Sequence, residues 1–187
     1  MTPFEFLSVA LSFVLGLAVT VLLSSLLTAF RARRMTRMSW LPFAWAAYLL
    51  VMQFDLWWET YGLVNIEVWS AGAFVLLLVL ALLLFAAGGL ILPTGIGNYP
   101  EDLDEYFEDS GRWAVAVVTG FLVLAIVANA ALFDVGIVKP MNLWNVLGIG
   151  ITASVVGAKR RVIRGAATVA FGAWLGAYLW MFVPGTY

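Results

Sequence analysis

The chain has 187 residues, no cysteine, no histidine and a formal net charge of −1 at pH 7. With 64% hydrophobic and 11% charged residues and a mean hydropathy of +1.00, it cannot present a water-soluble surface and reads as a membrane protein. The inventory excludes thiolate and imidazole metal sites, His- or Cys-ligated haem, cysteine nucleophiles and disulfides, leaving carboxylate, hydroxyl, amide and guanidinium chemistry.

The first apolar stretch, residues 3–30, exceeds the roughly 20 residues that cross a bilayer core and predicts a tilted spanning helix. It starts near Glu5 and ends on a basic cluster, the reverse of a secretory signal, so it is expected to be retained. Glu5, Ser8, Ser12, Gly16 and Thr20 fall on one helical stripe. That stripe reads either as a close-packing seam or as the polar wall of a water-accessible path with Glu5 at its mouth. Arg31, Arg33, Arg34 and Arg37 follow in a short loop without an acid, which the positive-inside rule places in the cytoplasm, with the N-terminus outside.

A second span, residues 40–61, carries Trp40 and Trp45 toward one interface and Trp57 and Trp58 toward the other. Asp55 and Glu59 are one turn apart on one face, which Tyr48 and Ala44 continue, whereas Gln53 and Trp57 lie almost opposite. The third span, residues 69–92, is uncharged and reads as mainly lipid-facing. The following connection opens with Pro93-Thr94-Gly95-Ile96-Gly97-Asn98-Tyr99-Pro100, which is turn chemistry. Pro100 then suits a first helical position, with Glu101 and Asp102 in the first turn. A short acidic cytoplasmic helix results, carrying Asp104, Glu105, Glu108 and Asp109 beside an apolar face of Leu103, Tyr106 and Phe107. It lacks the spacing and glycine of a calcium loop.

The fourth span, residues 113–133, holds one amide, Asn129, near its outer end, and a brief outer loop contains Asp134, Lys139 and Pro140. On the fifth, residues 141–158, Asn145, Gly148 and Thr152 share one side and Gly150, Ser154 and Gly157 another. This predicts a helix packed on both faces or locally irregular. Lys159, Arg160, Arg161 and Arg164 form a second basic, cytoplasmic loop. The last span, residues 165–183, presents Thr168, Gly172 and Gly176 as a small-residue ridge, with Trp180 and Tyr187 at its outer end.

The expectation is one all-α domain, residues 1–187, forming a polytopic bundle of six transmembrane spans with both termini outside. The acidic helix is expected to dock across the two basic loops, setting Glu101, Asp102, Asp104, Glu105, Glu108 and Asp109 against Arg31, Arg33, Arg34, Arg37, Lys159, Arg160, Arg161 and Arg164. Exposed pairs contribute only about 0–1 kcal/mol each, so such a clamp must act as a network.

Phe4-Glu5-Phe6-Leu7-Ser8, Leu15-Gly16-Leu17, Thr20, Arg33-Arg34, Trp40, Trp45, Gln53-Phe54 and Trp57-Trp58 together resemble a family of small bacterial integral membrane proteins. The resemblance covers the first third of the chain. It implies a bacterial inner membrane and about six helices, and carries no activity with it.

Function is sought in the polar groups inside the apolar spans. Glu5, Asp55, Glu59, Asn129 and Asn145 all fall in the outer half under this topology, where a charge must meet water, a partner or a proton. One reading is proton- or cation-linked transport with Asp55 as the deep site, Glu59 and Glu5 at the mouth, Asn129 and Asn145 as neutral ligands, and Tyr48 with the Ser12 to Thr20 stripe leading inward. The bland alternative has Glu5 and Glu59 reaching the interface and Asp55 snorkelling or bonded to a hydroxyl. A second class is a non-transporting adaptor or scaffold that docks through its charged loops. An enzyme is not expected, because HExxH, GxSxG and a Walker lysine are all missing from the sequence. No metal, cofactor or nucleic acid is expected, and the partners are the lipid bilayer and a second copy or another membrane protein.

Overall fold

The computed structural model describes residues 2–66, 69–94, 99–132, 136 and 138–182. The expected turn at Gly95 to Asn98, the outer-loop Asp134 and the terminal Tyr187 lie outside the described residues. Among those described, the chain is all-helical: α1 (Pro3–Ala32), α2 (Trp40–Glu59), α3 (Ala71–Ile91), α4 (Leu103–Tyr106), α5 (Arg112–Leu132), α6 (Pro140–Gly157) and α7 (Arg161–Phe182). Among the described residues, four helical stretches are long and apolar enough to cross a membrane: α1, α3, α7 and the 30 residues Leu103–Leu132 that join α4 to α5.

The helix starts follow local chemistry. Thr2 and Glu5 form a capping box at α1, the Glu5 N–H donating to Thr2 Oγ1 (3.2 Å) and the Thr2 N–H to Glu5 Oε2 (2.8 Å). Ser39 caps α2 and Ser70 caps α3. Pro140 occupies the first turn of α6, where its missing N–H costs nothing.

The acidic segment differs from the expected separate helix. Asp102, not Pro100, sets its start, accepting from the Asp104 N–H (2.7 Å). From Leu103 the chain then runs through a single wide turn, Phe107–Gly111, directly into α5. Phe107 is fully buried, and the ring leaves no room for a side chain at Gly111, whose added Cβ would lie 2.7 Å from Phe107 Cδ2. Asp104, Glu105, Glu108 and Asp109 thus lie in the first turns of one long helical stretch, Leu103–Leu132.

Close packing links α2 to α3, α3 to α5, α5 to α6, α6 to α7 and α7 back to α2, with α1 laid against α2 and α3. The third helix is therefore central, contrary to its expected lipid-facing role. Leu77, Leu80, Ala81, Leu84, Ala87 and Gly88 are buried. A uniformly apolar helix carries no signal that separates lipid from protein interior, and here the Ala87-Gly88 step admits the backbone of α1 at Ala18 and the Gln53 amide.

The polar stripe of α1 is not a seam. Ser12, Gly16 and Thr20 are exposed, while Leu7, Leu11, Leu15, Ala18 and Leu22 pack inward. Thr20 donates back to the Gly16 carbonyl (2.7 Å), which satisfies its hydroxyl within the helix and leaves the face compatible with lipid. The sixth helix is regular and packs on one face only: Asn145, Gly148 and Thr152 are buried, and Gly150, Ser154 and Gly157 are exposed. On α7, Thr168 is buried and accepts the Trp45 indole N–H (3.0 Å), Gly172 seats the Tyr48 ring, and Gly176 faces outward with open space around it.

Candidate functional site: a carboxylate cavity and a latched basic end

Where α2, α5, α6 and α7 fail to meet, they enclose a cavity of about 40 Å³. One face of α2 enters it, because Met52, Asp55, Leu56 and Glu59 are spaced by three and four residues. Asn129 of α5, Asn145 of α6 and Tyr178 of α7 complete the polar lining. The volume is enough for a few waters or one small cation. A second chamber of about 50 Å³ lies on the α3 side, sharing Leu56, Glu59 and Asn129 with the first.

Within this lining the polar groups are unequally satisfied. Glu59 Oε1 accepts from the Tyr178 hydroxyl (2.8 Å). The Asn129 amide donates to Asn142 Oδ1 (2.9 Å), and Asn142 donates to the Gly136 carbonyl (3.2 Å). Asp55 differs: its Oδ1 is buried and makes no hydrogen bond. A carboxylate oxygen left this way in an apolar bundle is costly unless a proton, a cation or a water meets it.

Four of the residues singled out from sequence, Asp55, Glu59, Asn129 and Asn145, converge on this one cavity. Two do not. Glu5 is engaged in the capping box of α1, and Tyr48 lies outside the lining. The Tyr48 ring packs edge-on against Trp45 (5.8 Å between centroids) and against Phe171 (5.7 Å). Trp45 stacks on Phe171 (4.7 Å), Phe171 on Trp174 (5.0 Å) and Trp174 on Tyr178 (5.7 Å). Tyr48 thus belongs to a run of packed rings that reaches the cavity through Trp174 and Tyr178, and is not itself part of the lining. Gln53 points to α3, donating to the Leu84 carbonyl (3.4 Å), in keeping with its position opposite Asp55.

Asn142, Trp174 and Tyr178 were missed by sequence reasoning. Asn142 lies one turn from Asn145, a spacing that puts both amides on one face. Phe171, Trp174, Tyr178 and Phe182 recur at three- and four-residue steps, which marks an aromatic ridge but not its partner. The ridge is fixed by a reciprocal pair: the Trp174 indole donates to the Trp144 carbonyl (2.9 Å) and the Trp144 indole to the Trp174 carbonyl (3.4 Å). Close approach is possible because position 148 is glycine.

At the opposite end the acidic segment does bridge both basic loops, by means other than a broad charge network. Toward the first loop the link is main-chain: the Arg37 N–H donates to the Glu101 carbonyl (2.8 Å) and the Leu103 N–H to the Arg37 carbonyl (3.1 Å). Thr36 adds a bond to the Pro100 carbonyl (2.9 Å), and Ser39 donates to Asp104. Toward the second loop the ion pairs are Arg161 with Asp104 (2.5 Å) and Arg164 with Glu108. Arg33 turns back to its own helix, donating to the Phe30 carbonyl (2.8 Å). Arg31, Arg34, Glu105, Lys159 and Arg160 are exposed and form no ion pair among the described residues. The expected electrostatic clamp is thus a backbone latch on one side and two ion pairs on the other.

Comparison of the chain with protein-family models, with curated proteins and with solved structures finds no match to any of them.

Proposed function

We propose that this is a multi-pass membrane protein in which Asp55 and Glu59 hold an exchangeable proton or small monovalent cation for linked transport. The observation that carries the reading is the buried, unbonded Asp55 Oδ1 on a cavity shared with a second carboxylate and two amides. Six helices, α1, α2, α3, α5, α6 and α7, are taken to span the bilayer, with both basic loops in the cytoplasm and both termini outside. At about 1.5 Å per residue the 20 residues of α2 and the 18 of α6 reach across most of a 30 Å hydrocarbon core. Their lower hydropathy fits helices that carry the polar lining and face the bundle interior. The bacterial inner membrane rests on the family resemblance alone.

Under this reading the structure is an occluded state. The Trp45, Tyr48, Phe171 and Trp174 rings form the barrier on the cytoplasmic side, and transport requires them to part. Glu59, held by Tyr178, is the relay between the cavity and the outer face. This role is transport, not catalysis. The adaptor reading is less favoured, because Asp102, Asp104 and Glu108 are already engaged within the chain.

The test is flux into liposomes carrying a trapped pH indicator or, in a parallel arm, a trapped sodium indicator, under a potassium diffusion potential. Wild-type protein is expected to raise proton or sodium flux above empty vesicles, and Asp55→Asn to remove the increase. Equal flux from wild type, Asp55→Asn and empty vesicles ends the proposal. Orientation is checked by single-cysteine labelling, which the cysteine-free chain permits directly: Met35→Cys, at an exposed position of the first basic loop, is expected to react only from the cytoplasmic side.

A further inference from the structure

We propose that a pocket at the basic end, between the last turn of α6 and the first turn of α7, binds a phosphate-ester anion, the group that an anionic phospholipid presents at a leaflet surface. The pocket has a volume of about 280 Å³, and its polar lining is Glu108, Arg112, Lys159 and Arg164. Three cations face one carboxylate there.

Arg164 is the built feature. Its side chain is only 7% exposed, yet its Nε makes no hydrogen bond and its one ion pair is with Glu108. A guanidinium has five N–H donors in a fixed fork, suited to two oxygens of one phosphate, and burying it half-satisfied is unfavourable. Glu108 is 54% exposed, so it can swing into water and yield its place to an incoming anion. Arg112 is held at the rim over the Trp113 ring (5.7 Å to its centroid), and Lys159 stands exposed in the turn between the helices. The chain enters α7 through Arg160, a side chain with no acceptor to cap the helix, so the positive end of α7 adds to the same field.

The rest of the lining includes the apolar Val155 and Val156, which suits a ligand with a hydrocarbon part. From Gly157, itself at the pocket, the exposed Ser154 and Gly150 continue along the outward face of α6, away from the basic end. Ser154 donates to the Gly150 carbonyl (2.8 Å), so this strip sets no free hydroxyl against an acyl chain. Basic pockets between membrane helices are a recurrent means of holding anionic headgroups. The inference does not depend on the transport reading, since no residue is shared between the two sites.

The experiment is native mass spectrometry of the purified protein in a non-ionic detergent. Dioleoyl phosphatidylglycerol, dioleoyl phosphatidylcholine and inorganic phosphate are added in separate arms. One phosphatidylglycerol is expected to bind in preference to phosphatidylcholine, and loss of a charge-assisted contact in Arg164→Gln to weaken it about tenfold. Lys159→Gln, at an exposed position that does not threaten folding, is expected to weaken it in the same direction. Glu108→Gln is expected to strengthen binding, because it removes the competing internal anion, an outcome that a purely structural ion pair would not produce. Displacement of the lipid by inorganic phosphate supports recognition through the phosphate, and binding of inorganic phosphate without the lipid assigns the site to free phosphate esters. Equal binding of the two lipids with no phosphate effect overturns the proposal. So does phosphatidylglycerol binding unchanged in Lys159→Gln, or weakened in Glu108→Gln.

Discussion

Replacing Gly148 with alanine is expected to loosen the wall of the carboxylate cavity, and the structure gives its magnitude. A Cβ built there would lie 2.6 Å from Trp174 Cζ2, 2.8 Å from Trp174 Cε2 and 3.1 Å from Leu122 Cδ1. The indole is hemmed in by stacking on Phe171 and Tyr178 and by its bond to the Trp144 carbonyl, so it cannot yield without losing them. Overpacking of a filled core costs about 1–3 kcal/mol, and the strained or lost indole hydrogen bond about 1 kcal/mol more. Alanine's better helix propensity returns about 1 kcal/mol. The net expectation is a loss of about 1–3 kcal/mol, a shift of about 5- to 160-fold in the folding equilibrium. Gly150, two residues on, has nothing within 4 Å of an added Cβ and serves as the control, expected to gain up to about 1 kcal/mol as alanine. Unfolding by SDS in mixed micelles, followed by near-ultraviolet circular dichroism, measures both. Gly148→Ala as stable as Gly150→Ala would refute the packing argument. Trp174→Phe in the Gly148→Ala background is expected to cost less than the sum of the single changes, because it removes the atoms that clash.

Asp55→Leu is expected to abolish flux while raising stability by about 1–3 kcal/mol, since a half-buried carboxyl with one buried, unbonded oxygen gives way to an apolar group. A fall in melting temperature would mean that Asp55 is paired in the working protein. Tyr178→Phe removes the donor to Glu59 and is expected to cost about 1–2 kcal/mol, with a coupling of about 1 kcal/mol in a double-mutant cycle with Glu59→Gln. A coupling near zero would show the contact to be incidental. At the basic end, Asp104→Asn removes the charge paired with Arg161 and leaves a single oxygen where two served Ser39 and Arg161, and is expected to lower the melting temperature at low and high salt alike, whereas Glu105→Gln leaves it unchanged. An effect of Asp104→Asn that disappears in high salt would reduce the latch to surface electrostatics. Burial, and then the neighbouring Tyr106, push the Tyr99 phenol up to about 12. Its folded value lies above its unfolded one, so its contribution is complete below pH 10 and is lost as pH rises from 10 toward 12. Alkaline unfolding of Tyr99→Phe is expected to begin at higher pH than that of the wild type, and coincident curves would refute this.

Much of the architecture was legible in the linear chain because its causes are local. Long apolar runs are decided within a few residues. The helices Pro3–Ala32, Ala71–Ile91 and Pro140–Gly157 accordingly lie close to the expected spans. Segregation of arginines to one end and the shared face of Asp55 and Glu59 are likewise matters of spacing along a helix. What only the tertiary structure decided is which apolar face meets protein. Lipid and a protein interior are equally apolar, so hydropathy could not distinguish the buried side of α3 from the exposed stripe of α1. The partners that give the carboxylates their different situations are also remote: Tyr178 reaches Glu59 from 119 residues away, and Asp55 is left without one. Only closure of the helical ring, with Trp174 seated over Gly148, turned a pair of acids on one helix into a cavity with a bonded and an unbonded carboxylate.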